Sequence, residues 1–307
     1  MAIKMSFKYL ATLLLLCILN LISVPVQATT LWPIPEGVKT VEVNGYPMAY
    51  QDTGSGTPLV LVHGGFSDYR IWSRKQIPIF SKFYRTIAVS LRHHYPEKWN
   101  GVGNDYSIEQ HASDVAALIK KLNLGKVHLL GHSRGGGVVF NVAKMHPELI
   151  RTLILEDGSI DSIVPETPEK QERRAAFKKR AEAARADLEA DNPEKAAQEW
   201  WDNYVGPGTW RKFSSPFKAL ILDNIWSTTD DGDRGNVNCD EVLKFNFPIL
   251  LFTGEKSSKH YADSYKELRK CRPDLPEPIV VPNATHIIHN TNPKFYNSAV
   301  LEFLNNH

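Results

Sequence analysis

Short apolar runs alternate with stretches of helical periodicity along most of this 307-residue chain. Runs such as Pro58–Val62 are apolar at nearly every position, which is typical of strands buried on both faces of a parallel sheet. Strands that alternate with helices indicate an α/β fold, a mostly parallel, twisted sheet flanked by helices on both faces. The predicted strands are Val38–Val43, Tyr46–Asp52, Pro58–Val62, Arg85–Leu91, Lys126–Leu130, Ile150–Leu155, Pro248–Phe252 and Pro278–Val281.

The alternation is interrupted between residues 158 and 240, after the sixth predicted strand. Residues 166–191 are rich in Ala, Glu, Lys and Arg, which indicates a helix with a solvated face. Tryptophans follow, which either form the core of a small helical subdomain or contribute to a ligand site. An insertion at this point lies over the strand ends where such sheets bind ligands. We therefore predict a helical lid at 158–240, between the two parts of a core at 29–157 and 241–307.

The first 28 residues have the pattern of a secretory signal peptide. Lys4 and Lys8 give a positive start, and an apolar run from Leu10 to Ile22 follows. Small residues at positions −3 and −1 then predict cleavage after Ala28. The alternative, an uncleaved anchor, needs about 20 apolar residues, and this run is shorter. We expect an exported protein, periplasmic or secreted, with no membrane segment after cleavage.

The net charge limits the classes of binding partner, and the cysteine content indicates the compartment. The formal charge is +2, and the two lysines of the signal peptide account for it. Nucleic acid is therefore not expected as a partner, because the mature chain has no net basic charge. The mature chain keeps Cys239 and Cys271. In an oxidising compartment such a pair is expected to form a disulfide, with two buried thiols as the alternative.

A nucleophile motif, Gly131-His132-Ser133-Arg134-Gly135, lies between a predicted buried strand and a predicted helix. This context is the one in which the Gly-x-Ser-x-Gly pattern forms a sharp turn that exposes a reactive serine. Glycine is needed because the strained turn leaves no space for a Cβ at the neighbouring positions. The motif predicts Ser133 as a nucleophile.

Two further stretches supply the remaining groups of such a site. The loop His63-Gly64-Gly65 follows the third strand and is expected to give the Gly65 N–H to an oxyanion hole. The second N–H would come from Arg134, the residue after the nucleophile. His286 follows the last strand and is the expected general base, with His289 as a weaker candidate.

On these motifs the chain resembles the α/β-hydrolase fold superfamily over most of residues 36–306. It is most similar to the esterase, haloperoxidase and epoxide-hydrolase-like branch, with a lid after strand six. The resemblance implies a Ser–His–acid triad that includes Ser133 and His286. The chain departs from the pattern in two respects. After strand four, Ser90-Leu91-Arg92-His93-His94 replaces the Asp-x-Arg-Gly-x-Gly of many relatives, and after strand seven Ser257 stands where the family usually carries its acid.

The acid must therefore come from elsewhere. Some members of the superfamily carry it at the end of strand six, where this chain has Glu156 and Asp157. Adjacent strand residues point to opposite faces, so only one of the two suits the histidine. Asp157 is the predicted acid because it lies last, at the edge where the site is expected. Glu156 remains the alternative, with Glu255 and Asp263 as outside candidates.

These expectations describe an exported serine hydrolase that acts on an ester-like small molecule through an acyl-enzyme and needs no cofactor or metal. Carbon–carbon bond hydrolysis and cofactor-free haloperoxidase chemistry are alternatives that use the same triad. A different class of function, a non-catalytic protein that binds a small ligand in the same pocket, is also compatible with the fold.

Overall fold

The computed structural model describes residues 32–229 and 237–307, so the predicted signal peptide lies outside the described residues. The strands are β1 (Lys39–Val43), β2 (Tyr46–Thr53), β3 (Pro58–Val62), β4 (Arg85–Val89), β5 (Val127–His132), β6 (Ile150–Glu156), β7 (Ile249–Gly254) and β8 (Ile279–Val281). The α-helices are α1 (Arg70–Ser73), α2 (Ile77–Phe80), α3 (Ile108–Lys121), α4 (Arg134–Met145), α5 (Pro168–Glu189), α6 (Pro193–Tyr204), α7 (Thr209–Lys212), α8 (Ser215–Asp223), α9 (Cys239–Val242), α10 (Lys259–Cys271), α11 (Ile288–Thr291) and α12 (Pro293–Asn305). Within the two described ranges, no helix has both the length and the apolar character that crossing a bilayer requires.

The eight strands form one sheet in the order β1-β2-β4-β3-β5-β6-β7-β8. Strand β2 runs antiparallel to both of its neighbours, and every pair from β4 to β8 is parallel. The predicted α/β architecture is confirmed, and each predicted strand is present with its ends within two residues. The antiparallel start follows from the turn at Asn44-Gly45, where both residues have positive φ angles of 50° and 74°.

The register of the central strands brings their carboxyl ends to one line. Val62 pairs with Gly131 across β3 and β5, and His132 pairs with Glu156 across β5 and β6. Glu156 pairs in turn with Phe252 of β7. Loops that leave these strands therefore start side by side, at the edge where parallel α/β sheets carry their sites.

Alternation along each strand divides the core between the two faces of the sheet. In β3, Val60 and Val62 belong to a cluster that includes residues of α3, α4 and α10. Leu59 and Leu61 belong to the opposite cluster, which includes residues of α1, α2 and α12. Because both faces are covered, the strands are continuous apolar runs, as the sequence indicated.

Helices α5 to α8 follow β6 and precede β7 in the chain, within the predicted insertion. They have a hydrophobic core of their own, and three of the tryptophans belong to it: Trp200, Trp201 and Trp210, each no more than 6% exposed.

Cys239 at the start of α9 and Cys271 at the end of α10 form a disulfide, with Cα atoms 5.1 Å apart. The bridge expected from the cysteine pair is thus present, and it joins the end of the insertion to the core.

Candidate active site

Ser133 lies at the turn between β5 and α4. Its φ of 52° and ψ of −119° lie outside the regions that L-residues ordinarily occupy. The turn is held from two sides, because the Ser133 N–H donates to the Glu156 carbonyl and the Ser133 carbonyl accepts from the Gly136 N–H, both at 2.9 Å. Strain stored in this way is characteristic of functional turns. The Ser133 side chain lines a cavity of about 570 Å³.

The glycines of the nucleophile motif are required by close backbone contacts. A Cβ placed on Gly131 would lie 2.3 Å from the Gly135 carbonyl oxygen. A Cβ on Gly135 would lie 2.4 Å from the carbonyl oxygens of Val62 and His63. Both contacts are with backbone atoms that cannot turn away, so the tight strand–turn–helix connection excludes larger residues here.

His286 contacts the carboxylate of Asp157. The Nδ1 of His286 lies 3.2 Å from Oδ2 of Asp157, whose side chain is fully buried. The same oxygen accepts a 2.6 Å hydrogen bond from the Ser257 hydroxyl. A carboxylate only accepts hydrogen bonds, so the proton of the imidazole lies on Nδ1, and Nε2 is the basic atom of the ring. Ser257, at the family's usual acid position, thus supports the carboxylate of strand six.

Glu156 serves a different histidine. Its side chain is fully buried and its Oε1 accepts hydrogen bonds from Nδ1 of His289, at 2.7 Å, and from the His289 N–H, at 3.0 Å. Burial alone would raise the pKa of the Glu156 carboxyl, but His289 and His132 lower it to about 2. Strand β6 ends at Glu156 and Asp157 has a left-handed φ of 41°, so the backbone turns between the two acids and they contact two different histidines.

The residues that come nearest to a metal site are His132, Glu156 and His289. Among the described residues they form the one group of three potential ligands whose atoms lie within 4.8 Å of one another. Two of them are already joined by a hydrogen bond, and only His132 lines the cavity. The His132 Nε2 donates to the His286 carbonyl at 2.9 Å. This group therefore helps to hold the backbone at His286 in place.

The basic nitrogen of His286 faces a tyrosine. The hydroxyl of Tyr261 lies 3.4 Å from Nε2, and the two rings stack with centroids 4.7 Å apart. The Tyr261 hydroxyl in turn lies 3.3 Å from that of Tyr204, on α6 of the insertion. Among the described residues no hydrogen bond joins His286 to Ser133, a separation that is common in active sites without substrate.

The loop after β3 lies against the nucleophile turn. A Cβ placed on Gly64 would lie 3.0 Å from Cβ of Ser133, and both Gly65 and Arg134 line the cavity. His63 holds this loop, because its Nδ1 donates to the Gly64 carbonyl and its Nε2 accepts from the Leu91 N–H. Burial lowers the pKa of His63 to about 4, so the ring is neutral and able to accept.

The structure brings the predicted site residues to one cavity. Ser133, His286, Gly65 and Arg134 all line it, and Asp157 lies behind His286. Sequence reasoning missed Tyr204, Tyr261 and Arg180, which also line it. No sequence signal pointed to them, since they come from α5, α6 and α10, which meet the site only through tertiary packing. His289, the weaker candidate base, is fully buried and does not line the cavity.

The chain is similar to known proteins over most of its length. The sequence profile of the family described as "alpha/beta hydrolase fold" matches residues 57–293. The chain is 26% identical over 276 residues to (E)-2-((N-methylformamido)methylene)succinate hydrolase of Acinetobacter baylyi, covering 87% of this chain and 97% of that enzyme. It is also 26% identical over 275 residues to 2-(acetamidomethylene)succinate hydrolase of Mesorhizobium japonicum, covering 87% and 94%.

Solved structures show the same fold. A thermophilic esterase from Thermogutta terrifontis superimposes with a TM-score of 0.67 at 23% identity, covering 88% of this chain and 97% of the esterase. A hydrolase from Pseudomonas aeruginosa superimposes with a TM-score of 0.70 at 19% identity, covering 88% and 99%. At these identities the likeness concerns the fold and not the substrate.

Proposed function

The chain belongs to the α/β-hydrolase fold family and is a hydrolase of that fold, and we propose that it is a serine hydrolase that cleaves an ester-like small molecule. Ser133 is the nucleophile, His286 the general base and Asp157 the acid of the triad. The single observation that carries the proposal is the contact between His286 and the buried carboxylate of Asp157, in the cavity that the strained Ser133 lines.

The reaction has two steps. Oγ of Ser133 attacks the carbonyl carbon while its proton passes to Nε2 of His286. The N–H groups of Gly65 and Arg134 hold the oxyanion, and each such donor contributes about 3–4 kcal/mol. The tetrahedral intermediate collapses, the alcohol leaves with the proton from His286, and an acyl-enzyme remains.

Water completes the cycle. His286 takes one proton of a water molecule, the hydroxide adds to the acyl carbon, and the acid product leaves as Oγ of Ser133 regains the proton. The net change is ester plus water to acid plus alcohol, so the reaction requires only protein groups and water. Before the first step, Nε2 must exchange its contact with Tyr261 for one with Ser133.

The inserted helices act as a lid in this proposal. Residues of α5, α6 and α8 line the cavity together with Ser133 and His286. Phe66, next to the oxyanion loop, donates its N–H to the Ser227 hydroxyl at the end of the insertion. These contacts support a lid that excludes water around the acyl-enzyme and shapes the pocket for the substrate.

Export belongs to the proposal as well. The amino-terminal pattern ends at Ala28, and the disulfide between Cys239 and Cys271 supports an oxidising compartment. Mass spectrometry of the mature form should then find Thr29 at the amino terminus. A full-length cytoplasmic product would contradict export without affecting the proposed chemistry.

A fluorophosphonate probe tests the chemistry, because it labels only an activated serine. We expect labelling of the wild type, loss of labelling in Ser133→Ala, and retention in Ser159→Ala. Ser159 is a matched control, since it lines the same cavity but lies outside the nucleophile turn. A wild type that is folded and unlabelled would favour the non-catalytic binding protein.

A further inference from the structure

The cavity is lined by more positive than negative side chains. Among the described residues that line it, Asp161 is the only carboxylate. The cationic lining residues are Arg134, Arg173, Arg174, Lys178 and Arg180. The mature chain as a whole has no such excess, so positive charge is concentrated around the candidate active site.

Most of these cations have protein partners. Arg173 pairs with Asp161 at 3.0 Å, and Arg174 pairs with Glu166 at 3.1 Å. The guanidinium of Arg134 lies over the Tyr106 ring, 4.2 Å from its centroid. Lys178 is exposed and its charge is solvated. Each of these four cations thus has a carboxylate, an aromatic ring or solvent next to its charge.

Arg180 differs from the others. Within the described ranges no carboxylate lies at ion-pair distance from it, and its buried Nε has no hydrogen-bond partner. Three aromatic rings surround it instead, with Phe177, Trp200 and Tyr204 at 5.8, 5.7 and 5.6 Å from its central carbon. Burial lowers the pKa of this guanidinium, and among the described residues no hydrogen bond to it offsets the lost hydration.

Arg180 is also close to the reacting groups. The Tyr204 ring, 5.6 Å from the guanidinium, is 6.4 Å from the His286 ring on centroids. A single aromatic ring therefore separates the cation from the proposed general base. Ser133 and Arg180 line the same cavity, so a substrate with its scissile carbonyl at Ser133 occupies the space that Arg180 also borders.

We infer that the substrate is an anion, an ester-like compound whose acyl part ends in a carboxylate that pairs with Arg180. This inference rests on the proposed serine hydrolase and specifies the substrate class of the same site. The carboxylate would accept the hydrogen bonds that the Arg180 guanidinium does not make within the protein, in the two-pronged geometry that guanidinium and carboxylate share.

The surroundings favour a carboxylate over a phosphate. The three rings around Arg180, those of Phe177, Trp200 and Tyr204, are uncharged. One guanidinium matches one negative charge and two acceptor oxygens. A phosphate monoester carries about two charges and calls for further cations, whereas Arg173 and Arg174 already pair with carboxylates of the protein.

The first experiment compares acids with neutral isosteres. Monoethyl succinate, glutarate and adipate are assayed for ethanol release against the primary amides of the same ethyl esters. We expect kcat/KM of the best acid to exceed that of its amide at least tenfold, because a charge-assisted hydrogen-bonded pair contributes about 10- to 100-fold. Equal values for acid and amide would overturn the inference.

Three variants test whether Arg180 causes the preference for acids over amides. Arg180→Leu should bring the acid-to-amide ratio to about one, mainly by raising KM for the acid, and Arg180→Lys should give an intermediate ratio. Arg185→Leu is the matched control, an exposed arginine of the same helix that does not line the cavity, and should keep the wild-type ratio. An undiminished ratio in Arg180→Leu, or, if that protein fails to fold, in Arg180→Lys, would refute the assignment.

A binding measurement separates this inference from the proposed chemistry. Calorimetric titration of Ser133→Ala with glutarate requires no turnover. We expect binding of glutarate, none of glutaramide, and loss of glutarate binding when Arg180→Leu is added. If no ester is hydrolysed but glutarate binds through Arg180, the proposed hydrolase fails and the anion site stands. If glutarate does not bind, the inference fails whatever the hydrolase does.

Discussion

Replacing Asp157 by Asn tests which acid serves His286. In the wild type, Oδ2 of Asp157 accepts from both Ser257 and His286, and Oδ1 is buried without a hydrogen-bond partner. An amide nitrogen at the Oδ2 position would donate to His286 and force the imidazole proton onto Nε2. An amide nitrogen at the Oδ1 position would bury unpaired donors. In either orientation the negative charge is lost.

The size of the effect follows from the distance. Two unit charges at the 3.2 Å between His286 and Asp157 interact by about 5 kcal/mol at an effective dielectric constant of about 20. That energy corresponds to a roughly 10⁴-fold change in rate. The loss is expected in kcat, because the imidazolium forms only during the reaction, and KM should change little.

The assay is steady-state hydrolysis of the best ester, with circular dichroism and a melting curve to establish folding. Glu156→Gln is the matched control: it removes a neighbouring carboxylate that contacts His289, and should retain activity within about tenfold of the wild type. If Asp157→Asn keeps near-full activity while Glu156→Gln loses it, the triad acid is Glu156. If both variants stay active, strand six does not supply the acid.

Three further predictions concern stability. The pKa of Glu156 is lowered to about 2, so its ionised form stabilises the fold fully above about pH 5, and this contribution is lost as the pH falls from about 4.5 to 2. Urea unfolding of Glu156→Gln should therefore show about 1–3 kcal/mol lower stability at pH 7 and a flatter acid dependence; equal slopes below pH 5 would contradict this. Removing the Cys239–Cys271 bridge, whose cysteines are 32 positions apart, should cost about 4 kcal/mol, measured by denaturation of the double serine variant; an unchanged midpoint would oppose it. Gly136→Ala should cost about 3 kcal/mol, since its Cβ would lie 2.4 Å from the Gly158 Cα; a wild-type melting temperature would show that α4 shifts freely.

The sequence predicted the sheet well because its central strands are covered on both faces. Such strands are apolar at nearly every position, and turn residues precede and follow them. The strand Pro58–Val62 can therefore be predicted from its own sequence, without knowledge of the strands that pair with it. The nucleophile turn was predictable for a similar reason, since Gly131 and Gly135 are required by contacts within one local connection. Constraints of this kind are local, so a single stretch of sequence is enough to predict them.

Other parts of the site depend on distant stretches meeting. Strand alternation indicated that Glu156 and Asp157 face apart, but not that two histidines of one loop would each contact one of them. Arg180 belongs to α5, whose charge-rich sequence predicts a helix with a solvated face. Its aromatic environment exists only because α6 packs against α5. The sequence does not distinguish the two roles of the tryptophans for the same reason, and Trp200 and Trp201 both pack in the core of the insertion and line the cavity.

The helical insertion begins at the residue that follows the carboxylate held against His286. Asp157 has a φ of 41°, and the N–H of Gly158 donates to the buried Tyr265 hydroxyl at 2.8 Å. For protein engineering, the insertion is consequently not a cassette that can be exchanged at the end of β6. A grafted segment that lacked the left-handed Asp157 and the hydrogen bond from Gly158 to Tyr265 would move the carboxylate away from His286. Within the insertion, changes of substrate range are therefore expected at positions beyond Gly158, and a change at the start of the insertion is expected to alter turnover as well.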